Sequence, residues 1–280
     1  MNDLRKKYLF GPCEYDFTKR TFIMGVLNVT PDSFSDGGRY FDSGMAVKRG
    51  LEMIEEGADF IDVGGESTRP GAEQISIEEE LRRVLPVIRQ LARTTKIPVS
   101  IDTCKSAVAE GALSAGATMV NDISGLHFDP MIADAVAKHE ATIILMHIRG
   151  TPRTMQTNPE YQNVIEDICS YIEDGIQLAR QKGINQIIVD PGIGFGKSTQ
   201  HNLEIINKLR EFKRFGYPVL VGPSRKSFIG KILDVDVEDR FEGTAAAVSA
   251  SIIKGANIVR VHDVKQMKRI AQMTDAISRA

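Results

Sequence analysis

The sequence of 280 residues contains no tryptophan and only three cysteines, Cys13, Cys104 and Cys169. An odd number of widely separated cysteines with no CxxC pair gives neither a disulfide framework nor a thiolate metal site, and it suits a reducing compartment. No run of about 18 or more apolar residues occurs, so a membrane span is not expected. The opening stretch MNDLRKKYLFGPCEYDF holds no apolar run long enough for a secretory signal. Together these absences set the expectation of a cytoplasmic protein. Net charge is also scarce, at −2. That excludes nucleic acid or a membrane surface as a partner held by bulk electrostatics, and any anionic ligand must be gripped by a local cluster. The five histidines, His127, His139, His147, His201 and His262, form no H-x-x-x-H or H-x-x-E-H pattern, so a metal cage built from protein alone is not expected. His139 and His201 read as helix-surface residues. His127 and His147 read either as mouth-lining or as structural.

What the sequence does contain is an alternation of short β-rich runs with longer amphipathic segments. The runs are Phe22 to Asn28, Asp59 to Val63, Pro98 to Asp102, Thr118 to Asp122, Thr142 to His147, Gln186 to Asp190, Pro218 to Gly222 and Asn257 to Val261. Rich in Val and Ile and without polar alternation, each reads as a buried strand. Between them lie helical patterns such as MAVKRGLEMIEEG and IEEELRRVLPVIRQL. Gly57, Gly116, Gly183 and Gly255 stand where a helix C-cap precedes the return to the sheet. Such repeated units in about 250 residues fit a (β/α)8 TIM barrel. A doubly wound open sheet is the structural alternative. With no linker or composition shift, a single α/β domain over residues 21–280 is expected. Residues 1–20 form a short N-terminal extension, expected to make a hairpin closing the barrel bottom.

In such a barrel the site lies at the C-terminal ends of the strands, and polar residues gather there. Strand one ends in Asn28, strand three in Asp102, strand four in Asn121 and Asp122, and strand six in Asp190. Strand two leads into GGESTRPG with Glu66, Thr68 and Arg69. Strand seven runs into Ser224, Arg225, Lys226 and Ser227, and strand eight supplies Arg260 and His262. Any one of these could simply cap the next helix, and Asp122 and Asp263 read as caps or supports. Capping alone would not place Arg, Lys and His beside the carboxylates.

Carboxylates accept pairs of N–H bonds and an amide offers both donor and acceptor. Asp102, Asn121 and Asp190 therefore suit the edge of an amino-substituted heterocycle. Asn28, Arg69, Arg260 and His262 suit a phosphate-like anion. Lys226 is a point charge suited to a carbonyl oxygen or developing negative charge. The tract DPGIGFGKS (Asp190 to Ser198) lacks the G-x-x-x-x-G-K-[ST] spacing and is not a phosphate loop. SFSDGGRYFDSG (Ser33 to Gly44) reads as an active-site loop. Cys104, one residue past an Asp-Thr pair, reads as a small residue at a turn rather than a nucleophile. A magnesium ion held mainly by substrate phosphates, with Asn28 as the protein's oxygen ligand, is expected in preference to a dedicated cage.

GVLNVTPDSFSDGG (Gly25 to Gly38) and GGESTRPG (Gly64 to Gly71) resemble the two signature loops of dihydropteroate synthases. SIDT, NDISG, LMH, DPGIGFGK, SRKSFIG, EGTAAA and RVHDV match in the same order, over roughly Thr21 to Met273. The resemblance implies a transferase of folate biosynthesis. Such an enzyme joins 6-hydroxymethyl-7,8-dihydropterin diphosphate to p-aminobenzoate, giving 7,8-dihydropteroate and diphosphate through a pterin cation. It implies a pterin site of Asp102, Asn121, Ile123, Met146, Asp190, Phe195, Gly222, Lys226 and Arg260. It further implies a diphosphate site of Asn28, Thr68, Arg69, Arg260 and His262, with Mg2+ at Asn28. Phe34, Asp36, Pro70, Lys226 and Ser227 would surround p-aminobenzoate. The expected catalytic set is Asp102, Lys226, Arg69, His262 and Asp36.

A homodimer and sensitivity to sulfonamides are also implied. Pro223 departs from the Thr or Ala of many relatives. It removes a backbone donor there, which bears on p-aminobenzoate or sulfonamide affinity. Two rival readings are a pterin-binding methyltransferase serving a corrinoid protein and a catalytically silent pterin-binding paralogue. The first would have no use for SRKS or the STRPG arginine. The second would be expected to show damage at Asn28, Arg69, Lys226 or His262, and the sequence shows none.

Overall fold

The computed structural model describes residues 7–11, 13–30, 43–68 and 71–280. The chain opens with an antiparallel hairpin, β1 (Lys7–Phe10) and β2 (Cys13–Asp16). Strands and helices then alternate: β3 (Phe22–Asn28), α1 (Ser43–Glu55), β4 (Phe60–Gly64), α2 (Ile77–Thr94), β5 (Val99–Asp102), α3 (Ser106–Ser114), β6 (Met119–Asp122) and α4 (Ile132–Lys138). The second half continues with β7 (Thr142–Met146), α5 (Val164–Gln181), β8 (Ile187–Asp190), α6 (Thr199–Asn207), a 3-10 turn over Leu209–Phe215, β9 (Leu220–Val221), α7 (Ser227–Leu233), α8 (Phe241–Ile253), β10 (Ile258–Val261) and α9 (Val264–Arg279).

The strands from β3 to β10 form one parallel sheet in the order β8-β7-β6-β5-β4-β3-β10-β9. An open doubly wound sheet would leave β8 and β9 as separate edges. Here the Val189 N–H donates to Pro218 O at 3.0 Å and Val189 bridges Val219 in parallel, so the sheet closes into a barrel. The closing strand β9 is shorter than its apolar run because Pro218 has no N–H, and the Val219 N–H is taken by Asn257 Oδ1 at 3.0 Å. Gly57, Gly116, Gly183 and Gly255 all have φ between +80° and +112°, the left-handed conformation that ends a helix.

Buried on both faces as expected, the strands carry polar side chains mainly on the inward face. Their outward rows are apolar, with Ile23, Ile61, Ile101, Val120, Ile143 and Val189 fully buried against the helices. Their inward rows change character along the strand. At the N-terminal ends Phe22, Met24, Phe60, Met119, Ile144, Ile188, Leu220 and Ile258 form a separate apolar cluster inside the barrel. Two residues further on, the same face presents Asp62, Asn121, Asp190 and Arg260, and β5 adds Asp102 above Ser100.

The hairpin covers the apolar end. Tyr8, Phe10 and Phe17 are buried in the inner cluster, and Phe10 and Phe17 pack edge-on to Phe60 and Phe22 at 5.3 and 5.1 Å. Tyr8 donates to Ile187 O at 2.6 Å, and Gln186 pairs with the Leu9 backbone at 2.6 and 3.0 Å. With the lower end filled by aromatic rings, the upper end is where the barrel interior reaches solvent.

Candidate active site

The inward polar residues meet at that upper end. Asn28, Gly64, Asp102 and Asn121 form one register row across β3, β4, β5 and β6. A Cβ at Gly64 would stand 3.8 Å from Asp102 Oδ2 and 3.9 Å from Asn28 Oδ1, so the two polar groups flank this glycine. Arg260 reaches over from β10, donating from Nη2 to Asp102 Oδ2 at 2.8 Å and from Nε to Asp62 Oδ2 at 2.7 Å. The same Asp62 oxygen accepts from Asn121 Nδ2 at 2.8 Å. Asp62 and Asp102 each keep one buried oxygen, Oδ1, without a hydrogen-bond partner.

Asp190 closes β8 and accepts from the Gly192 N–H at 2.7 Å. This turn requires glycine, since Gly192 has φ +72° and a Cβ would fall 1.9 Å from His147 O. Buried Lys197 ties the turn down from below, donating to Phe195 O at 2.9 Å and meeting His147 Nδ1 at 2.8 Å. Burial holds both Lys197 and His147 well below their ordinary pKa ranges. Their hydrogen bonds to each other and to Phe195 O make both of them supports of the turn.

Lys226 is the residue before α7, and its Nζ lies 4.1 Å from the centre of the Phe195 ring. Gly194, at φ +84°, allows that approach, because a Cβ would lie 2.9 Å from Lys226 Cδ. Ile123, Met146 and Phe195 are buried in one small apolar cluster with Ile148 and Met155. Thr68 and Ile123 share a narrow cleft with Asp102. Gly222 follows β9, and its missing side chain would stand 3.7 Å from Arg260 Cβ.

His262 is half-buried, its Nδ1 at 3.0 Å from Ser224 Oγ, which also accepts the His262 backbone N–H at 3.3 Å. Two contacts to one hydroxyl fix the ring's orientation and leave Nε2 without a partner from Ser224. Ser227, the first residue of α7, is exposed. Phe34, Asp36, Arg69, Pro70 and most of the Ser33 to Gly44 stretch lie outside the described residues.

Crowding these groups in a poorly solvated mouth moves their ionisation. Burial pushes Asp102 up to about 7, against the pull of Arg260 and with the push of Asp62. Burial pushes Asp190 up to about 6, opposed by the Gly192 N–H and Lys226. Burial and then Arg260 bring Lys226 down to about 8. His262 is brought down to about 4, by burial first and then by Arg260. The carboxylates are thus easily protonated until a ligand supplies N–H donors, and His262 stays neutral until an anion arrives.

The remaining polar residues have structural partners. Asp122 accepts from Ser124 N, Ser124 Oγ and Leu126 N at 2.6–2.8 Å. Asp263 holds Arg225 at 2.6 and 3.1 Å, and Glu66 holds Lys105 at 2.5 Å. His127 stacks on Tyr171 at 3.7 Å, His139 meets Glu110 at 3.0 Å, and His201 completes the capping box of Ser198. The Cys104 thiol is pushed up to about 12 by burial, which favours the protonated thiol over a thiolate nucleophile. Sequence reasoning missed Asp62, Lys197 and the seat that Ser224 provides for His262. Asp62 carried a signal, being a lone carboxylate inside an otherwise apolar strand and in phase with the inward Phe60.

The family model described as "Pterin binding enzyme" matches residues 24–262. The dihydropteroate synthase of Synechocystis is 50% identical over 272 residues, covering 96% of this chain and 94% of that protein. The Yersinia pestis dihydropteroate synthase, solved with a sulfonamide drug complex, superposes with a TM-score of 0.92 at 40% identity, covering 98% of this chain and 100% of that one. A Clostridium difficile dihydropteroate synthase solved in the presence of pteroic acid superposes at 0.89 with 46% identity, covering 95% and 100%. Matched over nearly its whole length by these proteins, the chain belongs to the pterin-binding enzymes, within the dihydropteroate synthases.

Proposed function

We propose that this chain joins 6-hydroxymethyl-7,8-dihydropterin diphosphate to p-aminobenzoate, giving 7,8-dihydropteroate and diphosphate. The observation that carries the reading is the inward rim. Three side chains able to accept N–H bonds, Asp102, Asn121 and Asp190, stand beside a cation pair, Lys226 and Arg260, above an aromatic-filled barrel. The relative solved in the presence of pteroic acid supports the same ligand class. A methyltransferase or a silent paralogue is not favoured by relatives that are synthases along nearly the full chain.

In this reading Asp102 and Asp190 take up ring N–H groups, and the ring slots against Ile123, Met146 and Phe195. Lys226 lies toward the ring carbonyl. The methylene C–O bond breaks with its electron pair going to the leaving diphosphate. Asp102 stabilises the cation left on the pterin. The amine of p-aminobenzoate then attacks, forming the C–N bond and losing a proton. His262 and Arg69 offset charge on the leaving group, while Phe34, Asp36, Pro70 and Ser227 surround p-aminobenzoate.

The residues present fit a magnesium ion. Asn28 brings an amide oxygen to the row it shares with Gly64 and Asp102, and no group of three acidic, His or Cys side chains among the described residues could hold a metal alone. Asn28 together with substrate phosphates would hold it, and bound there it would neutralise charge on the departing diphosphate.

A homodimer in the cytoplasm belongs to the same reading; no helix among the described residues is long and apolar enough to cross a membrane. The test is direct. Purified protein with both substrates and magnesium should form dihydropteroate. Absence of product with both substrates shown to be intact would reject the assignment.

A further inference from the structure

Asp62 sits one layer below the rim and is completely buried. On β4 it stands two strands from β6 on one side and two from β10 on the other. Its Oδ2 accepts from Asn121 Nδ2 and from Arg260 Nε at 2.8 and 2.7 Å, and Arg260 passes on to Asp102 at 2.8 Å. Three of the groups assigned to the pterin therefore depend on one oxygen atom. A primary amide can turn end for end at little cost unless a neighbour tells its oxygen from its nitrogen. An ionised carboxylate only accepts, so it fixes Nδ2 inward and leaves Asn121 Oδ1 and the second N–H for a ligand. Arg260 is pinned at Nε, which sets the plane of its guanidinium and the aim of Nη2 at Asp102.

We infer that Asp62 is a positioning residue of the pterin site, setting the orientation of the Asn121 amide and of Arg260 against Asp102. This rests on the synthase reading above. Its cost is visible in the buried Oδ1, which has no partner. An unpaired buried carboxylate oxygen is destabilising, and a core position kept only for packing would be better filled by an apolar residue. The role differs from that of a structural ion pair because two carboxylates share one guanidinium. Removing the Asp62 charge changes the ionisation of Asp102 as well as the geometry.

The test uses full-length Asp62→Ala and Asp62→Asn beside the unaltered protein. Calorimetry with the dihydropterin diphosphate alone should show affinity lowered by about tenfold or more in Asp62→Ala, since hydrogen bonds to charged groups are at stake. KM for p-aminobenzoate should move little. Asp62→Asn keeps the shape and an accepting oxygen but loses the charge, and it decides the matter if the alanine variant does not fold.

The charged groups facing Asp102 are Asp62 on β4, Arg260 on β10, Lys226 before α7 and Glu80 on α2. With Asp62 neutral, repulsion falls and Arg260 serves Asp102 alone. The acid limb of kcat/KM for the pterin substrate should therefore move to lower pH. A purely structural role would lower thermal stability and activity together and leave that limb in place. An unmoved or upward-moved limb in Asp62→Asn, or full pterin affinity in Asp62→Ala, overturns the inference while the synthase reading stands. Failure of the unaltered protein to bind the pterin would overturn both.

Discussion

Asp102→Asn should make the ligand-free protein more stable at pH 8 while destroying its activity. Asparagine has the shape of the protonated carboxyl, so the variant removes the cost of keeping an ionised group in the mouth. The carboxyl rises from an ordinary 3.8 to about 7, which corresponds to roughly 4 kcal/mol at about 1.36 kcal/mol per pH unit. Because the folded value lies above the unfolded one, the native protein takes up a proton that the unfolded chain does not. The cost is therefore full above pH 7 and is relieved as pH falls from 7 toward 4. Urea denaturation of both proteins, followed by circular dichroism, should show an advantage for the variant of roughly 4 kcal/mol at pH 8, shrinking to about 1 kcal/mol at pH 4.5. Greater stability of the unaltered protein at pH 8 would mean that the Arg260 pair outweighs burial. A gap that did not change with pH would also refute the argument. Loss of dihydropteroate formation in the same variant would show that the destabilising charge is retained for function.

Gly192→Ala should be destabilising by several kcal/mol, because it combines a positive φ with a Cβ only 1.9 Å from His147 O, where strain of about 1–3 kcal/mol comes from the backbone alone. Thermal denaturation checks it, and a near-neutral effect would mean that the turn can move away from Asp190. Sulfonamides should compete with p-aminobenzoate in steady-state inhibition, as expected of a relative of the Yersinia pestis enzyme solved with such a drug. Purely noncompetitive inhibition would place the drug elsewhere.

Much of the barrel was legible in the sequence because parallel strands buried on both faces must be Val- and Ile-rich, and the glycines at positions 57, 116, 183 and 255 punctuate them. The ends of the strands were legible for a related reason, since a polar residue closing an apolar run has to face solvent, a cap or a ligand. Asp62 was harder to see. It lies in mid-strand, where its partners Asn121 and Arg260 come from β6 and β10, far away in the chain. Lys197 was overlooked for the opposite reason, because a lysine after a glycine-rich tract reads as exposed, and only the folded turn brings His147 and Phe195 O around it. The inward and outward rows could be told apart only once the register was known, since apolar residues at the lower ends of most strands hide the alternation.

The central claim is that the polar groups on the inner face of the strands form one pterin site, with Asp190 as a direct acceptor. Calorimetric titration of the dihydropterin into the unaltered protein and into Asp190→Ala at pH 8 measures this directly. Clear binding is expected of the first and affinity lower by about tenfold or more of the second, from ring N–H groups left unpaired in a buried slot. Equal affinity in the two proteins would contradict it.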